Sequence, residues 1–540
     1  MTEELYVLPA SFGQKRLWLL EQIQPDTPLY TMAAALRLRG TLDVTALSAA
    51  LTEVVQRHEV LRTVLRLDGG QVVQVVREPG PVDLETVEAP DGFDAAVLAA
   101  SRLAARPFDL ATGPLLRCYL VRAAADDHLL LAVVHHTVAD GWSMGVLMRE
   151  LTALYAAGTR GVPAALPELP VQYADYALWQ QEQLDSGALT DQLDFWRREL
   201  AGVTPLRLPP DHPRTPAPTF AAATAPVTVA AAAVRQLRAV AEGDGVTASM
   251  VAMAAYAAVL ARWSRQDDLV IGVPVAGRAE LDLEPLVGFF VNTLPIRLDL
   301  SDDPTFGELL GRVRDHCLAA YQHADIPFEL LVDELKPDRR AGQLPLAQTM
   351  LAVNNTVLPH LTDLPGLTVE PVRLPETRAH FDVTLDLVES DDALRGIVAA
   401  QADLFTAETA ALVARSFTTL LRAAVVSPST RLSELPCPVA TERDVDVVAL
   451  PSPDTEPAPV GGAIPDGDDT ARTPTELVLV RLWSEILERD GVGVHEEFYA
   501  AGGNSLRAVR VVLRARELGV DLPVDAVLGE HTIRDLAALA

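Results

Sequence analysis

The stretch HLLLAVVHHTVADG, His128 to Gly141, limits the fold more than any other part of the chain. Six consecutive apolar residues, Leu129 to Val134, run into a histidine pair, which is the length and composition of a strand buried on both faces. Neighbouring side chains on a strand point to opposite faces. His135 and His136 therefore cannot play the same part, since one can face a cavity while the other turns into the protein and needs a hydrogen-bond partner. After Ala139 the chain turns through Asp140 and Gly141, and Ser143 is placed to cap a helix over SMGVLMRELTALYAAG, in which Val146, Leu147, Met148 and Leu151 are apolar. A strand, a tight loop and a helix are predicted. By itself a His-His pair fits a structural or surface role as well as acid-base chemistry.

A second region has a different character. From Thr473 the sequence TPTELVLVRLWSEILER places Leu479, Leu482, Trp483, Ile486 and Leu487 at helical spacing, with Thr473 as cap and Pro474 in the first turn. Further on, GGNSL holds a serine, Ser505, at the start of another helical pattern, on which Arg507, Arg510 and Arg514 share a face. By itself that serine fits a helix cap.

Between the two regions, residues 438–472 contain six prolines and eight acidic residues, which suits a solvated tether. A flexible chain of that length spans roughly 30 to 35 Å. The formal charge of −30 over 540 residues argues against nucleic acid as a partner, because affinity for phosphate backbones comes from basic surfaces. Cys118, Cys317 and Cys437 are too scattered for a disulfide framework or a zinc site, which fits a reducing cytoplasm. The N-terminus lacks a signal-peptide core. The uncharged run Gly245 to Ala261 is shorter than a membrane span, so a buried helix is expected there and no membrane partner.

HHTVADGWS resembles the active-site signature of condensation domains from nonribosomal peptide synthetases. Six other segments resemble family motifs in the same order: SFGQKRLWLL (Ser11 to Leu20), RHEVLRTVL (Arg57 to Leu65), YADYALW (Tyr173 to Trp179), IGVPVAGR (Ile271 to Arg278), VGFFVNTLPIR (Val287 to Arg297) and HADIPFE (His323 to Glu329). The likeness covers roughly residues 5 to 435. GGNSL in turn resembles the attachment site of peptidyl carrier proteins. One departure is LPLAQTM, where Ala347 stands in place of the family's usual aromatic residue. Another is EEFYAA before GGNSL, in place of the more common acidic-Phe-Phe pattern.

The resemblance implies an α/β fold of two chloramphenicol-acetyltransferase-like lobes in a V, plus a small all-α four-helix carrier. The expected divisions are residues 1–175 and 176–437 for the lobes, 438–472 for the tether and 473–540 for the carrier. It implies amide formation between a carrier-bound acyl thioester and an amine. The candidate catalytic residues are His136, Gly141, His135 and Asp140. His136 acts as a base or positions the amine, and the Gly141 N–H meets the developing oxyanion. Asp140 is a proton relay or, as the family favours, forms a structural ion pair with Arg278. His135 is expected to be structural, Trp142 a core aromatic, and Arg62 either a bridge between carboxylates or a structural arginine. The motif departs from the heterocyclising and epimerising relatives, and the opening segment resembles the subclass that takes donors ending in an L residue.

The expected cofactor is 4'-phosphopantetheine on Ser505. The expected partners are an upstream donor carrier protein, a phosphopantetheinyl transferase and a separate adenylation enzyme, since too few residues separate the two regions to hold one. Two alternatives stay open. The acceptor is a soluble amine or alcohol, or the chain is a non-catalytic platform recruiting tailoring enzymes to the carrier.

Overall fold

The computed structural model describes residues 4–23, 27–215, 218–335, 344–354, 364, 366–375, 377–390, 393–439, 471–487, 489, 491–498, 501, 505–520, 522, 526–527 and 531–539. Of the expected tether, residues 440–470 lie outside the described residues, as do Tyr499 and Gly502 to Asn504 before Ser505. Contacts divide the chain into two compact units, Met1–Leu17 with Asp26–Arg443, and Trp18–Pro25 with Asp444–Ala540.

The larger unit is built on three sheets. In the five-stranded sheet the strands run in the order Leu367–Val372, Thr31–Gly40, Asp127–His135, Leu116–Ala124 and Leu84–Glu88. All neighbours are antiparallel except the last pair. The apolar run of Asp127–His135 occupies the centre of this sheet and is buried along its length from His128. Burial on both faces is why it reads as a continuous apolar stretch rather than an alternating one. Its partner Thr31–Gly40 sets Thr31 opposite His135, which brings Tyr30 to the end of the strand where the histidines stand. Leu367–Val372 is distant in sequence yet forms the edge of this sheet, paired with Thr31–Gly40.

The six-stranded sheet runs Asn292–Asp299, Asp268–Val275, Thr349–Asn354, Val383–Glu389, Leu394–Gln401 and Ala222–Val229. Helix Ala248–Ser264 covers the expected uncharged run, and Val251 to Leu260 are at most 1% exposed, so a helix apolar all round is core rather than surface. Helix Ala407–Val426 is long and apolar enough to cross a membrane by length and composition, but 61% of its apolar window is buried. All three cysteines are buried, and none of them is in a disulfide. A three-stranded sheet, Glu4–Pro9, Gln71–Arg77 and Thr63–Asp68, completes the unit.

The smaller unit is helical, with Pro474–Leu487, Ser505–Glu517 and Ile533–Leu539 among the described residues. Leu479, Leu482, Trp483 and Leu487 are buried as their spacing predicts, and Trp483 meets Phe498 edge to face at 4.9 Å. Phe498 thus supplies the buried aromatic of the EEFYAA departure.

The first helix opens with a reciprocal cap. The Glu476 N–H donates to the Thr473 hydroxyl, while the Glu476 carboxylate accepts from the N–H groups of Thr473 and Arg472 and from Arg534. These donors, led by the two backbone amides, hold the Glu476 pKa down to about 2 from its ordinary 4.5. A folded-state pKa below the unfolded one stabilises above the unfolded value and is lost on acidification. We therefore expect protection of residues 474–487 to fall as pH drops from about 4.5 towards 2 and Glu476→Gln to flatten that response, measured by hydrogen exchange with mass spectrometry.

Candidate active site

His136 lies one residue beyond the central strand. From His128 to Asp140 every side chain is buried except that of His136, which is half-exposed. The two histidines part as alternation requires. His135 turns inward, where its Nδ1 accepts from the Thr137 N–H at 3.2 Å and lies 2.9 Å from the Thr137 hydroxyl, and its ring meets Phe108. Burial pushes its pKa down to about 3, so it stays neutral.

His136 is fixed differently. Its backbone N–H donates to the Tyr30 carbonyl at 2.8 Å, and its Nδ1 donates to the Ala139 carbonyl at 2.9 Å. A carbonyl can only accept, so the neutral ring carries its proton on Nδ1 and keeps a lone pair on Nε2. Loss of water around the ring pushes its pKa below the ordinary 6.5, against the opposing pull of the Asp140 carboxylate and the Ala139 carbonyl. A neutral imidazole with Nε2 open is a proton acceptor at neutral pH.

Asp140, rather than Ser143, caps the following helix, Gly141–Arg160. Its carboxylate accepts from the Ser143 N–H at 2.8 Å and the Ser143 hydroxyl at 2.7 Å, which leaves Ser143 in the first turn as the capped residue. The same carboxylate accepts from Arg278 at 2.8 and 3.2 Å and from the Phe290 N–H at 3.1 Å. Five donors leave it no lone pair to relay a proton. The side chains of Asp140 and Arg278 are each 2% exposed. Arg278 also donates to the Ser143 hydroxyl and to the Leu283 and Leu286 carbonyls, and Phe290 lies under its guanidinium at 4.2 Å.

Gly141 begins the helix, so its N–H has no intrahelical acceptor, and a Cβ built there meets nothing within 4 Å. An N–H at a helix start beside open space suits a developing oxyanion. Trp142 is 36% exposed, not core, because its Nε1–H reaches out to the Glu284 carbonyl. Arg62 donates to the Arg77 carbonyl and to Glu59, a structural placement.

Several of the motifs recognised along the sequence meet here. Ser11 and Gln14 form a reciprocal cap on helix Phe12–Ile23, and Gln14 reaches on to the Thr137 carbonyl at 3.2 Å. Ser11 pairs with Tyr173, whose hydroxyl donates to the Phe289 carbonyl. Asn292 donates to the carbonyls of Ala324 and Ile326 and accepts from the Phe328 N–H, which sets Glu329 against Arg16 at 2.8 Å. Two residues near His136 carried no sequence signal, Tyr30 and His380, whose Nε2 lies 3.1 Å from the Tyr30 hydroxyl; a third, Phe289, stands in the VGFFVN motif, which did not single it out. Ala347 is fully buried against Gly272, so its small side chain bears on core packing of the six-stranded sheet.

The condensation domain family matches residues 5–445, and the phosphopantetheine attachment site family matches residues 478–540. The chain belongs to the condensation domain family. Chondramide synthase of Chondromyces crocatus is 39% identical over 460 residues, which is 83% of this chain and 12% of that one. The isonitrile lipopeptide synthase of Mycobacterium tuberculosis is 40% identical over 85% of this chain and 19% of its own length. The chain thus spans a small part of these relatives. The crystal structure of the X-domain from teicoplanin biosynthesis superposes with a TM-score of 0.74 at 34% identity, covering 79% of this chain and 97% of that one.

Condensation domains are acyltransferases that form peptide bonds in nonribosomal peptide synthetases. The attachment-site family carries 4'-phosphopantetheine on a serine. Ser505 fits that group: it is the first residue of a 13-residue helix, where free N–H groups and the helix dipole favour a phosphodiester.

Removing Arg278 would leave Asp140 charged and buried. Arg278→Met is expected to cost about 3–5 kcal/mol, read by calorimetry as a lowered unfolding midpoint of the larger unit, with part of the loss recovered in Arg278→Met with Asp140→Leu.

Proposed function

We propose that this chain is a condensation-carrier didomain that forms an amide between a donor held on another carrier protein and an aminoacyl group on Ser505. The observation that carries the reading is His136, a neutral imidazole whose Nε2 meets no hydrogen-bond partner among the described residues, and the one residue of its stretch that is not buried. Bound to Ser505, 4'-phosphopantetheine supplies a mobile thioester tether. As the amine nitrogen bonds to the donor carbonyl carbon, His136 Nε2 takes its proton. The C–S bond breaks, and the same nitrogen returns the proton to the departing sulfur. The Gly141 N–H meets the negative charge that gathers on the carbonyl oxygen. His135, Asp140 and Arg278 hold the loop that aims these groups.

In this reading the larger unit comprises two lobes divided near residue 175, and residues 438–472 tether the carrier at millimolar effective concentration. A separate adenylation enzyme loads Ser505 after a phosphopantetheinyl transferase has modified it, in the cytoplasm. A second reading is a recruiting platform. It is favoured by the 33% identity to the X-domain, which is solved in complex with OxyB in teicoplanin biosynthesis.

Intact-protein mass spectrometry decides between them. Incubation with a phosphopantetheinyl transferase and coenzyme A should add one phosphopantetheinyl group, lost in Ser505→Ala. With Ser505 charged from aminoacyl-coenzyme A and a donor offered on a carrier, dipeptidyl product should appear on the carrier, and His136→Ala should lower its rate by about 10²-fold or more. No dipeptidyl product from the wild-type protein with Ser505 charged would leave the platform reading, and undiminished condensation by a folded His136→Ala protein would overturn His136 as the base. Because the base works deprotonated and its pKa lies below the ordinary value, the acid limb of the condensation rate should fall below pH 6.5.

A further inference from the structure

In the run Leu286 to Phe290, Phe289 is the one residue that is not buried, just as His136 is in its own run. The two half-exposed rings face each other edge to face, with centroids 4.9 Å apart and planes inclined at 64°. Phe289 is itself held from two sides. Its carbonyl accepts from the buried Tyr173 hydroxyl at 2.9 Å. Behind its ring stands Gly13, where an added Cβ would fall 2.6 Å from the Phe289 ring. No side chain larger than hydrogen fits at position 13 unless the phenyl ring moves, and the same ring meets His136.

The hydrogen bond from Nδ1 to Ala139 fixes one edge of the imidazole, but it leaves the ring free to swing about that bond. A second contact on the ring removes that freedom. Resting on the assignment of His136 as proton acceptor, we propose that Phe289, backed by Gly13, is a positioning residue that holds the His136 imidazole with Nε2 aimed at the reacting amine. The phenyl ring also covers one side of the imidazole against water. The titratable and charged groups around His136 are His135 beside it, Asp140 with Arg278, and His380 with Tyr30 and Arg16. Substitution of Phe289 leaves every one of them in place.

The test uses the full chain with Ser505 charged from an aminoacyl-coenzyme A and a carrier-bound aminoacyl donor. Phe289→Leu keeps an apolar side chain and should lower kcat about tenfold through misaimed proton transfer, with KM for the donor carrier within about twofold. Water admitted to the imidazole should move the acid limb of the pH profile up by about half a unit, towards the ordinary histidine value. Phe289→Tyr keeps the ring and should keep kcat. Gly13→Ala should lower kcat as Phe289→Leu does, and the double variant should be no worse than either alone. The His136 pKa, followed by NMR of the 15N-labelled imidazole, reads the same shift without turnover. A Phe289→Leu protein with the parental kcat, acid limb and His136 pKa, beside an inactive His136→Ala, would overturn the role of Phe289 alone. An active His136→Ala would overturn the assignment beneath it as well.

Discussion

The geometry of the active-site loop hangs on one buried carboxylate. Asp140 joins the end of a strand, the start of a helix, the arginine of PVAGR and the backbone of VGFFVN through five hydrogen bonds, with its side chain almost wholly buried. In a low-dielectric interior such a charge is tolerable only when every lone pair is used. That requirement locks the loop. Arg278 cannot leave Asp140 without stranding it, Ser143 cannot leave without uncapping the helix, and Phe290 follows because its N–H is one of the donors. His136 stands between these fixed points, carried by Ala139 on one side and by the Tyr30 carbonyl on the other.

Division of labour between adjacent histidines follows from strand geometry alone. His135 points into the sheet's packing and finds Thr137; His136 points the other way and keeps a free nitrogen. Their environments set their chemistry. Both are held below the ordinary histidine pKa by desolvation, yet the first has no access to solvent and the second has.

Much of this was legible in the residues. The apolar run before HHTVADG announces a central strand, and TPTE announces a helix start, because capping depends on side chains three residues apart. The pairing of Asp140 with Arg278 followed only from family likeness, since 138 residues separate them. Ser143 looked like a cap because it precedes an apolar helical pattern; Asp140 took the role since its carboxylate reaches both the N–H and the hydroxyl of Ser143. Trp142 looked like core for its size, but an indole N–H seeking a carbonyl drew it to the surface. Tyr30 and His380 were invisible because sheet register and loop packing bring them to His136, and neither leaves a mark at short range in sequence; Phe289 stood within VGFFVN, but its contact with His136 was not legible there.

The edge strand Leu367–Val372 has a practical meaning for cutting and rejoining such chains. Although it lies far along the polypeptide, it seals the flank of Thr31–Gly40 beside the histidine strand. A graft that carried over the first 175 residues without it would present a row of unpaired backbone groups, inviting another molecule to pair there. Exchange of parts between related chains therefore has to move residues 31 to 372 together, so that the flank travels with its seal.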